Sequence, residues 1–124
     1  MRRVFRTRTF SRWARKVGLS DTALCEAVSE MERGLIDADL GGHVVKKRVP
    51  LAGRGKRSGA RTLVATQFDD RWFFMYGFEK NERPNIADDE LKVLREVAKE
   101  LLALKDMEIA IAMSKGELVE IYHD

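Results

Sequence analysis

The chain has 124 residues, with 23 Lys and Arg against 20 Asp and Glu, and a single cysteine. That length makes one domain the expectation, and the lone Cys25 excludes an internal disulfide and a cysteine-based zinc cluster. The net charge of +3 conceals a division, with a net +9 over residues 1–62 and a net −6 over residues 63–124, so the first half is expected to meet a polyanion.

Arg2–Arg6 alternates enough to open as a strand. Over Thr7–Val17, Phe10, Trp13, Ala14 and Val17 recur at helical spacing, with Arg8, Arg12, Arg15 and Lys16 on the opposite face. Gly18 stops this helix. Ser20 is a good N-cap for a second helix, and Asp21 suits its first turn. Leu24, Ala27, Val28, Met31 and Leu35 form its apolar stripe, and Gly34 suits the position just past its end. The two helices read as a hairpin. Cys25 lies in that apolar pattern and reads as packing.

Leu40–His43 reads as a loop, and Val44–Val49 as a β-branched, basic strand closed by Pro50. A glycine-spaced basic loop follows, Gly53-Arg54-Gly55-Lys56-Arg57-Ser58-Gly59. It is not a P-loop, which needs four residues between its glycines and a Gly-Lys-Ser/Thr leading into a helix. Ala60–Phe68 and Arg71–Lys80 read as a β-hairpin around Asp69-Asp70. Simple alternation puts Trp72, Phe74, Tyr76 and Phe78 on one face of the second strand, with Phe73, Met75 and Gly77 on the other. Both faces are apolar, as in a central strand covered on both sides. Asp88–Leu104 is the clearest helix. In the tail, Asp106 as a cap and Gly116 as a stop favour a short helix before a last strand, Glu117–Tyr122, over a hairpin. No apolar run approaches the ~20 residues of a membrane span, and no apolar leader follows the basic start, so a soluble, cytoplasmic protein without membrane contact is expected.

The chemistry rests on cations. His43 and His123 are isolated, no second ligand stands at metal spacing, and no cofactor motif is present. In Val44–Val49, alternation sets Lys46 and Arg48 on one face and Val45, Lys47 and Val49 on the other. With Arg61 early in the next strand and Lys80 at the end of the one after, neighbouring strands would line one concave surface with Lys46, Arg48, Arg61 and Lys80. Arg54, Lys56 and Arg57 would form its rim. Such a surface suits RNA, which carries its own nucleophile in the 2′-OH. Arginines match phosphate oxygens, and a lysine crowded by other cations can serve as a base. Binding without cleavage is the alternative.

The run Gly55–Leu63, the strand Phe73–Phe78 and the segment Lys80-Asn81-Glu82-Arg83-Pro84-Asn85-Ile86 together resemble the RelE/ParE toxin superfamily. They are most similar to its RelE-like, HigB-type branch of type II toxin–antitoxin systems. The resemblance implies an α+β fold: a twisted antiparallel sheet packed by an N-terminal helical hairpin and a C-terminal helix, in the order β-α-α-β-β-β-α. Residues 1–124 would be one domain, with 104–124 a helix-strand extension. It implies a metal-independent endoribonuclease that cleaves mRNA on translating ribosomes and inhibits translation. The implied partners are mRNA, the ribosome and a cognate antitoxin, often a helix-turn-helix DNA-binding protein. By position, Arg61 would stabilise charge on phosphorus, and Lys46 or Lys80 would act as base. Arg48, Arg54, Lys56, Arg57, Asn81 and Arg83 would bind RNA. Many relatives have an arginine where this chain has Asn81, and a late tyrosine where it has Ile86 or Ala87. The general acid is then Tyr76 or Lys80, although alternation places Tyr76 among core aromatics. Alternative readings are a ParE-like gyrase poison and a non-catalytic nucleic-acid-binding phage accessory protein. The antitoxin's seat is either the helical hairpin or the Asp88–Leu104 helix.

Overall fold

The computed structural model describes residues 2–51 and 59–122. Its elements are β1 (Arg3–Thr7), α1 (Arg8–Val17), α2 (Asp21–Glu32), β2 (Ala38–Asp39), β3 (Val44–Val49), β4 (Ala60–Thr66), β5 (Arg71–Glu79), α3 (Asp88–Leu102), α4 (Asp106–Ser114) and β6 (Leu118–Ile121). Local chemistry sets the helix starts. The Thr7 hydroxyl accepts the Phe10 N–H at 3.2 Å, and the Ser20 hydroxyl accepts the Ala23 N–H at 3.1 Å, so each removes one orphan donor of a first turn. At α3 and α4 an acidic side chain reaches back instead. Glu90 accepts the Ala87 N–H at 3.0 Å, and Glu108 accepts the Lys105 N–H at 2.7 Å. Asp106, expected as the cap of α4, is its first helical residue and pairs with Arg71 at 2.6 Å. α2 ends at Glu32. Leu35 therefore falls outside the expected stripe and lies exposed.

The strands form one sheet in the order β2-β3-β4-β5-β1-β6. Every neighbouring pair is antiparallel except β1 and β5, which run parallel. The sheet is thus mixed where an antiparallel one was expected. The physical reason is that β1 is inserted beside β5, far along the chain, with β6 closing over its outer side. The tail adopts the favoured helix and strand. β4 ends at Thr66, so the connection to β5 is longer than the two-residue turn expected at Asp69-Asp70. Phe68 takes a φ of +63° within it, and the Thr66 hydroxyl accepts its N–H at 2.9 Å.

Each face of the sheet buries a core. On one side α1 and α2 cover Val4, Val45, Val49, Val64, Trp72 and Phe74, with Phe10, Leu24, Cys25, Val28 and Met31 from the helices. On the other, α3 and α4 cover Phe5, Val44, Leu63, Ala65, Phe73 and Met75, with Ala98 and Ile109 fully buried. Burial pushes the Cys25 thiol up, despite the lowering influence of Arg2, which keeps it protonated and inert. Lys47 is buried on the hairpin side, where its ammonium pairs with Glu30 at 2.8 Å and donates to the Leu35 carbonyl at 2.8 Å.

One irregularity governs everything beyond it. On β4 the consecutive residues Leu63 and Val64 face Tyr76 and Phe74, so Met75 is an extra residue on β5. This β-bulge inverts the alternation of the rest of the strand. Trp72, Phe74 and Gly77 face the helical hairpin, while Tyr76, opposite Leu63, and Phe78, opposite Arg61, face the α3 side. The expected grouping of Tyr76 and Phe78 with Trp72 and Phe74 is therefore corrected. Gly77 fits its new place because Trp13 lies directly on it. A Cβ there would stand 2.2 Å from the indole Cζ3.

Candidate functional site

Beside the α3 core, where β3 ends, β4 begins and β5 ends, the sheet opens into a cleft of about 310 Å³. It is lined by Asp37, Lys46, Arg48, Arg61, Lys80 and Pro84. Antiparallel register assembles it. Arg48 of β3 stands directly opposite Arg61 of β4, and Arg61 opposite Phe78 of β5. One pair back, Lys46 is opposite Leu63, and Leu63 is opposite Tyr76. Lys80 reaches this side because the bulge has inverted β5. The four cations that the sequence placed on one concave surface thus do line one cleft.

Arg61 is 8% exposed, and its Nη1 donates to the Gly59 carbonyl at 3.2 Å. Gly59 is required at that point. A Cβ there would sit 2.4 Å from the Val49 carbonyl oxygen, so a side chain would prise β4 from the end of β3. Lys46 is half-buried and Lys80 exposed. Like charges directly opposite on neighbouring strands repel, so the side-by-side Arg48 and Arg61 form a site that an anion stabilises.

Asp37, which the sequence did not single out, supplies one negative charge. Its carboxylate accepts the Arg48 backbone N–H at 2.6 Å and the Arg48 Nε–H at 2.8 Å. Burial by itself would raise this carboxyl, but the two bonds from Arg48 outweigh that and hold it below the usual value.

Arg83, expected to bind RNA, is engaged elsewhere. Its guanidinium forks onto the Glu90 carboxylate, donates to the Asn85 carbonyl at 3.0 Å and to the Tyr76 hydroxyl at 3.3 Å, and lies over the Phe78 ring. The Glu90 carboxyl is held down to about 2, first by Arg83 and then by the Ala87 N–H. The same partnership raises Arg83 above its ordinary value. Arg83 therefore pins the chain between Lys80 and α3, and the RNA contact expected of it is not carried forward. Asn81 is exposed and outside the cleft lining. Tyr76 is half-buried on the cleft side of the sheet, with its hydroxyl directed to Arg83. Arg54, Lys56, Arg57 and His123 lie outside the described residues. Among the described residues, no group of three or more His, Cys, Asp and Glu side chains is placed to hold a metal ion.

Two arginines and two lysines around one open cleft, on a rigid sheet, are the equipment of a protein that grips a phosphodiester backbone. A family model described as the RelE toxin of the RelE/RelB toxin–antitoxin system matches residues 2–121. The chain belongs to that family, and is thereby a toxin of a toxin–antitoxin system with an antitoxin as its partner. No curated protein matches it. Among the described residues no helix is long and apolar enough to cross a membrane.

Proposed function

We propose that this toxin is a cytoplasmic, single-domain mRNA endonuclease of the HigB-type branch, acting on translating ribosomes without a metal. The observation that carries this reading is the juxtaposition of Arg48 and Arg61 across β3 and β4, flanked by Lys46 and Lys80 in one cleft. In the reaction the message's own 2′-oxygen attacks the adjacent phosphorus, and the bond to the 5′-oxygen breaks. The 2′-proton passes to Lys46 or Lys80, and a proton is returned to the leaving 5′-oxygen. Arg61, held by the Gly59 carbonyl in a largely water-free position, neutralises the charge that builds on phosphorus. Arg48 binds a neighbouring non-bridging oxygen. Alignment in such a cleft supplies on the order of 7–11 kcal/mol in favourable cases, which suits a site built from binding groups. The antitoxin, a helix-turn-helix protein in this reading, silences the toxin.

The test is expression from a tightly repressed promoter. Wild type is expected to arrest growth with rapid message decay, and Arg61→Ala to leave growth unimpaired at equal protein level. Equal arrest by both, or DNA damage preceding message decay, refutes the assignment; the second outcome is that of a gyrase poison. Salt-sensitive RNA binding without cleavage of ribosome-bound message identifies a non-catalytic binder.

A further inference from the structure

Asp37 is the one carboxylate among the described residues that line the cleft. In a site for phosphate, a fixed negative charge lowers affinity, so affinity does not explain it. Its attachment to β3 is more complete than a chance ion pair. The Asp37 N–H donates to the Lys46 carbonyl at 2.9 Å, one carboxylate oxygen takes the Arg48 backbone N–H, and the other takes Arg48 Nε–H. β2 is only two residues long and pairs Ala38 with Lys46 and Asp39 with Val45. At Asp37 the carboxylate therefore stands in for the carbonyl that a longer strand would have offered to Arg48. Arg48 Nε is occupied, and neither Nη has a partner among the described residues. Without this anchor, Arg48, whose side chain is 45% exposed and faces Arg61 across the strand pair, would be driven outward by like-charge repulsion.

We propose that Asp37 is a positioning residue for the cleavage reaction: it weakens the cleft's hold on RNA while fixing the Arg48 guanidinium beside Arg61, with both Nη groups left for the phosphate. The inference rests on the endonuclease reading. It also separates Asp37 from the proton transfers. Both of its oxygens are in use, and a carboxylate held below its ordinary value is a weak proton acceptor. An arginine fixed before substrate arrives loses little side-chain entropy on binding, and acts on the transition state more than on the ground state.

The experiment is single-turnover cleavage of a defined message on programmed ribosomes, run as a function of toxin concentration with wild type, Asp37→Ala, Arg48→Lys and the double variant. Asp37→Ala is expected to leave half-saturation unchanged or lower, since a negative charge has gone. Its rate at saturation is expected to fall about tenfold to about a hundredfold. The double variant is expected to be no slower than Arg48→Lys alone. In the 15N spectrum of the free toxin, the Arg48 Nε–H is expected to be rigid in wild type and mobile in Asp37→Ala, with the backbone spectrum of a folded protein in both. A saturating rate within about twofold of wild type, additive losses in the double variant, or an Arg48 side chain already mobile in wild type overturns the proposal. An inert wild type refutes the endonuclease reading, and with it the catalytic role assigned to Asp37. An active wild type with an equally active Asp37→Ala refutes this inference alone.

Discussion

Gly77→Ala adds one methyl group where the indole of Trp13 rests on β5. An ideal Cβ at residue 77 lies 2.2 Å from Cζ3, 2.5 Å from Cε3 and 2.7 Å from Cη2 of Trp13. Ordinary carbon contacts stand at about 3.5–4.0 Å, so the ring has to withdraw by roughly 1.3–1.8 Å. It cannot do so freely, because Trp13 packs on Phe10 at 5.6 Å, and Phe10 on Phe74 at 5.3 Å. Overpacking of this kind costs about 1–3 kcal/mol, which for a chain of this size lowers the melting temperature by about 4–12 °C. Thermal unfolding followed by circular dichroism reads this directly. Trp13→Leu alone is expected to destabilise by removing ring contacts, and the double variant Trp13→Leu/Gly77→Ala to be more stable than the sum of the two losses. A Gly77→Ala melt within a degree of wild type, or strict additivity in the double variant, refutes the steric account of this glycine.

Two further predictions concern charge. Glu90 has its carboxyl held at about 2, against an ordinary 4.5, by Arg83 and the Ala87 N–H. A depressed acid stabilises the fold above its unfolded value, and that contribution is lost as pH falls through the folded value. Glu90→Gln should therefore melt below wild type near neutral pH, with the gap closing as pH falls from about 4.5 to about 2; a gap that does not change with pH over that window excludes the pairing. For binding to a single-stranded RNA oligonucleotide, Lys46→Ala should flatten the slope of log affinity against log salt by about 0.7, the contribution of one phosphate contact. Arg83→Gln should hardly change it. Equal effects from the two variants would place Arg83 among the RNA contacts after all.

Much of this architecture is legible in the sequence, because its signals are local. Thr7 and Ser20 cap their own helices, Gly18 and Gly34 end theirs, and the alternation in Val44–Val49 separates Lys46 and Arg48 from the buried Lys47. Less is legible where the determinant is not local. Strand β5 is apolar on both faces, so a one-residue change of phase at Met75 leaves no mark in its hydrophobic pattern, and Tyr76 and Phe78 take the side opposite to the one simple alternation gives. Asp37 reads as an ordinary loop acid, since its role is to bond a backbone N–H eleven residues ahead. Arg83 reads as a ligand for phosphate because nothing nearby in sequence marks Glu90, a full seven residues on, as its partner. β1 gives no sign that its parallel neighbour is β5, a strand far along the chain.

The extra residue at Met75 gives the last part of β5 one residue of slack. If Met75 were removed, Phe74 opposite Val64 and Tyr76 opposite Leu63 would become consecutive rungs of a regular ladder, with Gly77 still under Trp13 and Lys80 still on the cleft side. Removing a second residue before Lys80 has no such outlet and would turn the lysine to the opposite side of the sheet. Among natural variants of this chain, loss of one residue at Met75 or Tyr76 is therefore expected to leave the cleft assembled, and loss of two to take Lys80 out of it.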